Sequence, residues 1–564
     1  MQKRLIECVP NFSEGRNMDV IKEITDEIEK TEGVVLLDID PGATTNRTVV
    51  TFVGEPETVV EAAFSAVKKA AEVIDMRHHT GAHPRMGATD VLPLVPVSGI
   101  TLEETAELAR KLGKRIADEL KIPVYAYESS AFKPERKNLA VCRKGEYEGL
   151  AKRFEAGDAP DFGQAVFNQN VARTGATACG ARDFLIAVNY NLNTTSTRRA
   201  NAIAFDVREK GRPRREDNSL TGKIMLDKNG EQVMIPGTLK GCKAIGWFID
   251  EFKIAQVSMN ITDIKTTPLH IAFQEVCRAA QARGIRVTGT EIVGLVPKSV
   301  LLDAAKYFLE QQQRSIGLSE EELIWIAVKS LGLDDLKPFN PKEKVIEYLM
   351  NRDSKKLLVD MTCKAFAEET ASESPAPGGG SISAYAGALG AALGTMVANL
   401  SSHKAGWDDK WEYFSNYAAL GQKLMAQLLY LVDEDTAAFN KIMDVFSMPK
   451  TTEQEKTVRS KALQKATLCA TQVPLQTMKV SLEVFPLVKL MAQEGNPNSV
   501  SDAGVGALVA RASVQGAFLN VKINASGLKD RAEADKLLAE ASDIAQRADI
   551  FEKEVIEIVN AKIQ

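Results

Sequence analysis

Thr89-Asp-Val-Leu-Pro-Leu-Val-Pro96 is matched position by position by Thr290-Glu-Ile-Val-Gly-Leu-Val-Pro297. Each segment is short, apolar and rich in branched residues, and each follows a stretch in which apolar residues recur at helical spacing. Alternation of strands and helices predicts an α/β fold up to about residue 336. Because the pattern occurs twice, we expect two related α/β layers that face each other across a cleft.

The neighbouring patterns agree with this fold class. Thr101 is expected to cap a helix over residues 102–120, because its hydroxyl can accept a hydrogen bond from a backbone amide of the first turn. Further helices are expected over residues 57–74 and 268–283. Strands are expected over residues 34–39, 47–53, 90–97, 124–128, 185–189, 244–250, 254–261 and 286–296.

The pattern changes at the segment PFNPKEK, residues 338–344, whose two prolines and lack of apolar periodicity indicate a linker. Beyond it no strand pattern recurs, so an all-α bundle is expected. Its helices are predicted over residues 345–370, 381–399, 411–446, 452–470, 474–492, 501–523 and 530–561. The predicted domains are two α/β subdomains (1–184 and 185–336), a linker (337–345) and a helical domain (346–564).

Composition excludes several function classes. The 564 residues carry 70 basic and 75 acidic side chains, a net charge of −5, which disfavours nucleic acid or an anionic membrane as the main partner. The seven cysteines are dispersed without a C-x-x-C pair, which is typical of a reducing compartment and indicates no zinc knuckle. The first residues do not resemble a signal peptide, and a cytoplasmic protein is expected.

Residues 381–402 contain no charged side chain, so a membrane span is one interpretation of this segment. The segment includes four serines and three glycines, so its hydrophobicity is weak. Gly387, Gly390 and Gly394 lie on one helix face, which permits close approach of another helix. A buried helix of a soluble protein is therefore favoured over a membrane span.

Three of the five histidines, His78, His79 and His83, lie within one short segment that also contains glycine and proline. Such a cluster indicates proton transfer or metal ligation, and proton transfer is favoured because no cysteine or glutamate lies nearby as a further ligand. Asp38 and Asp40 end a predicted strand, and either carboxylate could orient an imidazole.

Other segments leave alternatives open. Gly378–Gly380 precede a helix and suit either a flexible linker or a cradle for an anionic or carbonyl-bearing ligand. Asp433 and Asp435 belong either to a solvated acidic helix face or to a site, and Asn520 and Asn524, on one helix face, to packing or ligand binding. The charge-dense residues 208–217 form either a solvated mobile loop or a patch for a polyanionic tail.

Longer motifs carry a family resemblance. The segments ECVPNFSEG (7–15), LLDIDPG (36–42), GAHPRMGATDV (81–91) and GATACGARDF (175–184) resemble glutamate formiminotransferases. The segments ESPAPGGGS (373–381), LVDEDTAAF (431–439) and GAFLNVKIN (516–524) resemble formiminotetrahydrofolate cyclodeaminases. Their order is that of the fused formimidoyltransferase-cyclodeaminase family, and the resemblance covers nearly the whole chain.

The resemblance implies a chemistry. A formimino group moves from N-formimino-L-glutamate to N5 of tetrahydrofolate, and ring closure to 5,10-methenyltetrahydrofolate then releases ammonia. It implies histidine breakdown, a homo-oligomer, tetrahydrofolate as a polyglutamylated co-substrate and no metal. Methenyltetrahydrofolate cyclohydrolase activity of the helical domain, or a non-catalytic folate-binding scaffold, are the alternatives.

The resemblance also implies functional residues. His83 corresponds to the acid/base catalyst of the transferase, Asp40 to the aspartate near it, and Asp435 to the catalytic aspartate of the deaminase. The residues expected to bind folate are Gly163, Gln164, Ala165, Val166, Phe167, Arg173, Thr174, Gly175, Gly378, Gly379, Gly380 and Asn520.

Overall fold

The computed structural model describes residues 4–43, 45–81, 84–216, 222–350 and 357–563. The chain divides into two compact units. The α/β unit comprises residues 1–301 and 331–353, and the helical unit comprises residues 302–330 and 354–564. The predicted fold class, α/β followed by all-α, is confirmed.

Strands occur only in the α/β unit among the described residues. They are β1 (Leu5–Cys8), β2 (Asn11–Phe12), β3 (Val34–Gly42), β4 (Arg47–Gly54), β5 (Thr89–Ser98), β6 (Val124–Glu128), β7 (Thr177–Ala181), β8 (Ile186–Leu192), β9 (Arg212–Pro213), β10 (Met234–Ile235), β11 (Cys242–Ile249), β12 (Ile254–Ile261) and β13 (Val287–Val293).

Helices cover these strands and build the helical unit. They are α1 (Met18–Glu29), α2 (Pro56–Val73), α3 (Leu102–Leu120), α4 (Leu139–Cys142), α5 (Glu146–Glu155), α6 (Gln169–Thr174), α7 (Thr197–Val207), α8 (Leu269–Gln281), α9 (Lys298–Gln311), α10 (Glu320–Leu331), α11 (Pro341–Lys344), α12 (Ile346–Met350), α13 (Cys363–Thr370), α14 (Gly379–Ser402), α15 (Trp411–Ser447), α16 (Glu453–Leu482), α17 (Val484–Glu494), α18 (Val500–Ser526) and α19 (Arg531–Ile563).

The larger sheet has seven strands. β3 pairs with β4, both β1 and β2 lie between β4 and β5, and β7 and β6 follow as parallel neighbours. Side chains alternate between its two faces. Cys8, Phe52 and Leu94 point into a core shared with α1, α2 and α3, whereas Glu7 and Val49 line a cavity on the opposite face.

The smaller sheet is antiparallel, in the order β11-β12-β8-β13. α7 and α8 pack against it. One row across the sheet pairs Lys243 with Asn260, Asn260 with Ala187, and Ala187 with Val293. All four line the same cavity as the larger sheet, so the prediction of two α/β layers across a cleft is confirmed.

Residues 208–217, expected to be a mobile loop or an anion patch, lead into a β-hairpin over the described part of this segment. β9 pairs with β10, and isolated bridges join Arg215 to Ile224 and Leu226 to Gln232. Arg215 donates to the carbonyl of Gly222 at 2.7 Å. The sequence did not predict this hairpin, because its many charged residues show little of the alternation of apolar and polar residues that is typical of strands.

α14 is the central helix of the helical unit. It is long and apolar enough to cross a membrane by length and composition, with a mean hydropathy of 1.3, but 61% of its most apolar stretch is buried within the structure. A Cβ on Gly387 would lie 2.5 Å from Ser481 Oγ, and one on Gly394 would lie 2.9 Å from Leu487 Cδ2. The glycine face therefore lets neighbouring helices approach closely, as expected of a core helix.

α16 continues through Pro474, where the sequence predicted two separate helices. Proline has no N–H, so the carbonyl of Ala470 loses its intrahelical donor. Asn524 of α18 supplies a replacement, because its Nδ2 donates to Ala470 O at 2.7 Å. Of the two readings of Asn524, the structure therefore supports packing.

Replacing Asn524 by Leu should lower the free energy of unfolding by about 1–3 kcal/mol, because a buried carbonyl would lose its partner. Chemical denaturation measures this difference. In a Pro474→Ala background, residue 474 regains an N–H for Ala470, so the same replacement should cost less. Equal costs in both backgrounds would refute the role assigned to Asn524.

The helix predicted over residues 345–370 is wrong as a single element. α12 and α13 are separated, and Thr362 is extended and begins α13 by accepting a hydrogen bond from Ala365 N at 3.1 Å. Asp433 accepts a hydrogen bond from Leu358 N at 2.7 Å, which fixes the chain before α13. The predicted linker contains the short helix α11, which Asn340 caps. The predicted domain boundaries remain predictions.

The segment before α10 is bonded within the helical unit. Ser315 donates its amide to His403 Nε2 at 3.1 Å and its hydroxyl to Asn399 Oδ1 at 2.6 Å. Asn399 in turn donates to the carbonyl of Gly317 at 2.8 Å. These bonds hold residues 315–317 against the C-terminal end of α14.

Candidate active sites

A cavity of about 960 Å³ lies between the two sheets of the α/β unit. Five basic side chains line it: Arg47, Arg143, Lys144, Arg182 and Lys243. Arg143 is held in place by a buried ion pair with Asp90, with Nη2 and Oδ2 2.5 Å apart. A cavity of this size and charge suits a small anionic substrate together with part of a larger one.

Asp38 and Asp40 enter the cavity wall from β3, two positions apart and therefore on the same face of the strand. Asp38 is half-buried, and burial raises its pKa, opposed in part by Lys344. Asp40 is more exposed and lies opposite Val49 of β4. The expected orienting carboxylates are thus both at the cavity.

The structure describes two of the three clustered histidines, His78 and His79. His79 Nε2 lies 2.8 Å from the carbonyl oxygen of Asn46, and its Nδ1 accepts a hydrogen bond from Arg85 Nε at 3.1 Å. Both ring nitrogens are engaged, so His79 is a structural residue in this arrangement. His78 is exposed in a short 3₁₀ turn.

His83 lies outside the described residues. Its described neighbours on either side are fixed against the cavity region. A Cβ on Gly81 would lie 2.2 Å from Thr45 O, so the backbone approaches too closely there for a side chain. Pro84 lines the cavity, as does Thr45.

The predicted folate segment, residues 163–175, is divided between surface and interior. Gly163, Gln164, Val166, Phe167 and Arg173 are exposed and Ala165 is half-buried, whereas Thr174 and Gly175 are buried. Among the described residues that line the cavity, none belongs to this segment. Its C-terminal end runs beside the chain that follows His83, because Ala88 N donates to Thr174 O at 2.7 Å and Ala176 N to Met86 O at 2.9 Å.

Within this segment, backbone geometry explains the two terminal glycines. Gly163 has φ +90° and Gly175 has φ +67°, both in the region that favours glycine. A Cβ on Gly175 would lie 2.2 Å from Met86 O. Val166 and Phe167 are 51% and 38% exposed, so this segment has apolar side chains at its surface.

Glu7 is a cavity residue that sequence reasoning did not single out. It lies on β1, and its side chain is only 5% exposed although it lines the cavity. Burial raises its pKa to about 7, with a smaller opposing effect from Arg182. The signal was present in the motif ECVPNFSEG, where Glu7 is the only charged residue within an apolar run from Leu5 to Phe12.

A second site lies at the start of α14 in the helical unit. Ser381 Oγ lies 3.1 Å from Asp435 Oδ2 and 2.9 Å from the carbonyl oxygen of Val432, so the hydroxyl can donate a hydrogen bond to either acceptor. A Cβ on Gly380 would lie 2.1 Å from Asp435 Oδ1. Only glycine lets the Asp435 carboxylate contact the helix start directly.

The surroundings of Asp435 shift the pKa of its carboxyl upward. Burial raises the pKa of Asp435, and hydrogen bonds from the side chain and backbone of Ser381 only partly offset it. Asp433 accepts hydrogen bonds from the backbone near Leu358, while burial also raises its pKa. Asp433 therefore supports the neighbouring chain, and Asp435 faces the glycines.

Asn520 of α18 lies on the other side of the same glycines. Its Nδ2 would be 3.3 Å from a Cβ on Gly379, and it donates to the carbonyl of Gly516 at 3.0 Å. The structure thus brings Asp435, Asn520 and the glycine segment close together. Helix-start amides, an amide side chain and a carboxyl converge there on one small volume.

Gly380→Ala is expected to abolish the reaction of this site, because the new methyl group would displace the Asp435 carboxylate. The reaction of the α/β unit should be unchanged, which a separate assay of each unit's reaction measures. Gly379→Ala, whose methyl group meets only the flexible end of Asn520, should retain more activity. Equal losses in both variants would contradict the geometric argument.

Among residues 4–43, 45–81, 84–216, 222–350 and 357–563, no group of three or more His, Cys, Asp or Glu side chains is arranged to hold a metal ion.

Comparison with known proteins covers both units. The model of the formiminotransferase domain N-terminal subdomain matches residues 5–182, that of the formiminotransferase domain matches residues 187–351, and that of formiminotransferase-cyclodeaminase matches residues 362–543. The formimidoyltransferase-cyclodeaminase of Gallus gallus is 42% identical over 546 residues, 96% of each chain. The chain therefore belongs to the formimidoyltransferase-cyclodeaminase family, as its motifs indicated.

Two shorter relatives match one half each. The glutamate formimidoyltransferase of Streptococcus pyogenes serotype M1 is 40% identical over 308 residues, 54% of this chain and 94% of its own. The methenyltetrahydrofolate cyclohydrolase of Methylorubrum extorquens is 37% identical over 202 residues, 36% of this chain and 97% of its own. Each half thus corresponds to a protein that occurs separately.

Proposed function

We propose that this chain is a bifunctional folate enzyme with one active site in each unit. The α/β unit transfers the formimino group from N-formimino-L-glutamate to tetrahydrofolate. The helical unit then closes 5-formiminotetrahydrofolate to 5,10-methenyltetrahydrofolate and releases ammonia. The observation that carries the proposal is the pair of separate polar sites in a chain whose relatives match over its full length.

In the transferase reaction, N5 of tetrahydrofolate attacks the formimino carbon while its proton leaves, and the glutamate nitrogen gains a proton as its bond to that carbon breaks. His83 carries out both proton transfers as base and then acid. Asp40 orients the imidazole and stabilises its charged form. Asp40 and Pro84, the residue that follows His83, both line the cavity, which supports these roles.

The basic side chains of the cavity bind the carboxylates of the glutamate donor. Bidentate contacts suit arginine, and Arg143 is held in a fixed position by Asp90. The folate ring contacts the segment 163–175 through its exposed apolar residues Val166 and Phe167. Thr174 and Gly175 act by holding this segment against the chain that follows His83.

In ring closure, N10 attacks the formimino carbon, loses its proton and expels ammonia. Asp435 takes the proton from N10 and delivers one to the departing nitrogen. Burial, which raises its pKa, keeps the protonated form available for this second step. Gly378–Gly380 and Asn520 bind the folate beside it.

The second candidate for the helical unit is methenyltetrahydrofolate cyclohydrolase activity. The relative that matches this half alone carries that name. A non-catalytic folate-binding scaffold is the remaining alternative, and it would not require Asp435 to contact Gly380. We propose further that the enzyme acts in histidine breakdown and one-carbon metabolism in the cytoplasm, as a homo-oligomer, on polyglutamylated folates.

The test is an assay of the purified full chain with N-formimino-L-glutamate and tetrahydrofolate, in which ammonia and the methenyl chromophore are followed separately. The proposal predicts that both products form in equal amounts. Formimino transfer without ammonia release would contradict the deaminase assignment. Absence of both reactions would favour the scaffold.

A further inference from the structure

The carboxyl group of Glu7 is the most unusual group in the cavity. Its neighbours on β1, Ile6 and Cys8, are fully buried on the helix side of the sheet, and Glu7 points to the cavity side. Within the described residues its side chain forms no hydrogen bond and no ion pair closer than 4.0 Å. A carboxyl group that borders a cavity and has no hydrogen-bond partner from the protein is available to a ligand that supplies one.

Two other acidic groups of the cavity, Glu146 and Glu128, are in different surroundings. Glu146 forms an ion pair with Arg85, with Oε2 and Nη1 3.3 Å apart. Burial also raises the pKa of Glu128, but Lys243, Arg182 and Lys137 all oppose that effect. Glu7 has one opposing cation, Arg182, and is more deeply buried.

The donor substrate offers a complementary group. Its two carboxylates match the basic side chains of the cavity, whereas its formimino group is an amidine, which is protonated and positively charged at neutral pH. An amidinium presents two parallel N–H donors, the arrangement that a carboxylate binds in bidentate fashion. Among the described residues, Glu7 has the carboxyl that best meets this requirement.

We propose that the Glu7 carboxylate binds the amidinium of the formimino group and thereby selects a formimino donor over a formyl donor. This inference rests on the proposed transferase function. It makes Glu7 a specificity residue that holds the reacting carbon, separate from the proton transfers assigned to His83.

Substrate binding should then change the protonation of the cavity. The pKa of about 7 means that Glu7 is partly protonated in the empty protein at neutral pH. A bound cation favours the carboxylate, so protons should be released on binding, and affinity should fall as the pH drops below 7. The other charged or titratable side chains facing the cavity from neighbouring elements include Asp38, Arg47, Tyr127, Glu128, Arg182 and Lys243.

Calorimetric titration of the full chain with N-formimino-L-glutamate and N-formyl-L-glutamate tests the inference independently of turnover. The formyl compound has the same two carboxylates and a neutral amide. The wild-type protein should bind the formimino compound more tightly, and Glu7→Gln should reduce this preference by about 10- to 100-fold, the range expected for one charged hydrogen-bonding partner. Titrations in buffers of different ionisation enthalpy should show proton release at neutral pH for the wild type and less for Glu7→Gln.

Two further variants separate charge from structure. Glu128→Gln removes another raised-pKa carboxyl of the same cavity and should keep the preference. Glu7→Asp keeps the charge and should retain more of the preference than Glu7→Gln. Undiminished preference in Glu7→Gln, or equal losses in Glu7→Asp and Glu7→Gln, would overturn the inference.

The outcomes for the two proposals are distinguishable. Selective binding by the wild type without formimino transfer would refute the transferase function and leave the Glu7 assignment standing. Formimino transfer by the wild type, together with an unchanged binding preference in Glu7→Gln, would support the transferase function and refute the Glu7 assignment.

Discussion

His83→Ala is expected to lower formimino transfer to tetrahydrofolate by about 10²–10⁴-fold, because the proton transfers lose their acid/base group. Ring closure of supplied 5-formiminotetrahydrofolate should proceed at the wild-type rate. Ammonia release from each starting compound, measured separately, distinguishes the two reactions. This contrast is the strongest expected consequence of placing the two reactions in different units.

The neighbouring histidines provide matched controls. His78 is exposed, so His78→Ala should leave both reactions close to wild type. The His79 ring is hydrogen-bonded to both the Asn46 carbonyl and the Arg85 side chain. His79→Ala should therefore lower the melting temperature as well as the rate of formimino transfer. If His83→Ala transferred at the wild-type rate, or lost both reactions, the assignment of His83 would be wrong.

Asp435→Asn is expected to produce the opposite pattern, with ring closure reduced by about 10²–10⁴-fold and formimino transfer unchanged. The asparagine keeps an oxygen acceptor for the Ser381 hydroxyl, so packing at the start of α14 is preserved. 5-Formiminotetrahydrofolate should therefore accumulate, which chromatography of the folate products measures. Normal ammonia release by this variant would rule out Asp435 as the proton carrier.

The pKa of Asp435 also predicts the stability of this variant. Burial raises the pKa, so folding favours the protonated carboxyl, and the stability that this provides is lost as the pH rises through the folded-state pKa. At neutral pH the ionised group opposes folding, and Asp435→Asn should melt at the same temperature as the wild type or higher. Below the unfolded-state pKa of about 3.9 the wild-type carboxyl is protonated in both states, so the higher melting temperature of Asp435→Asn should disappear.

Local signals in the sequence were sufficient for much of the fold. Thr101 begins α3 with a capping box in which Glu104 bonds back to the Thr101 amide at 2.8 Å. The repeated segments at Thr89 and Thr290 form strands in the two sheets that line the cavity. These features depend on neighbouring residues, which the sequence displays directly.

Features that depend on distant partners were not predictable. Continuation of α16 through Pro474 requires Asn524 from another helix to satisfy the freed carbonyl. Assignment of residues 302–330 to the helical unit depends on bonds such as that of Asn399 to Gly317. The short strand β1 has too few residues for a clear periodicity, and the role of Glu7 becomes visible only when the opposite wall of the cavity is present.

The candidate site in the helical unit shows how motif and geometry combine. The motifs named Asp435, Gly380 and Asn520 as separate candidates, each with a plausible alternative. Their convergence follows from the crossing of α14, α15 and α18, which no local pattern encodes. Gly380 is needed because a carboxylate occupies the position where its side chain would be.

The central claim, two independent active sites linked by a released folate intermediate, is tested most directly by mixing the two inactive variants. His83→Ala and Asp435→Asn are purified separately and assayed alone and together with N-formimino-L-glutamate and excess tetrahydrofolate. Neither variant alone should release ammonia at an appreciable rate, whereas the mixture should do so after a lag in which 5-formiminotetrahydrofolate accumulates. A mixture that releases no more ammonia than the separate variants would contradict the account.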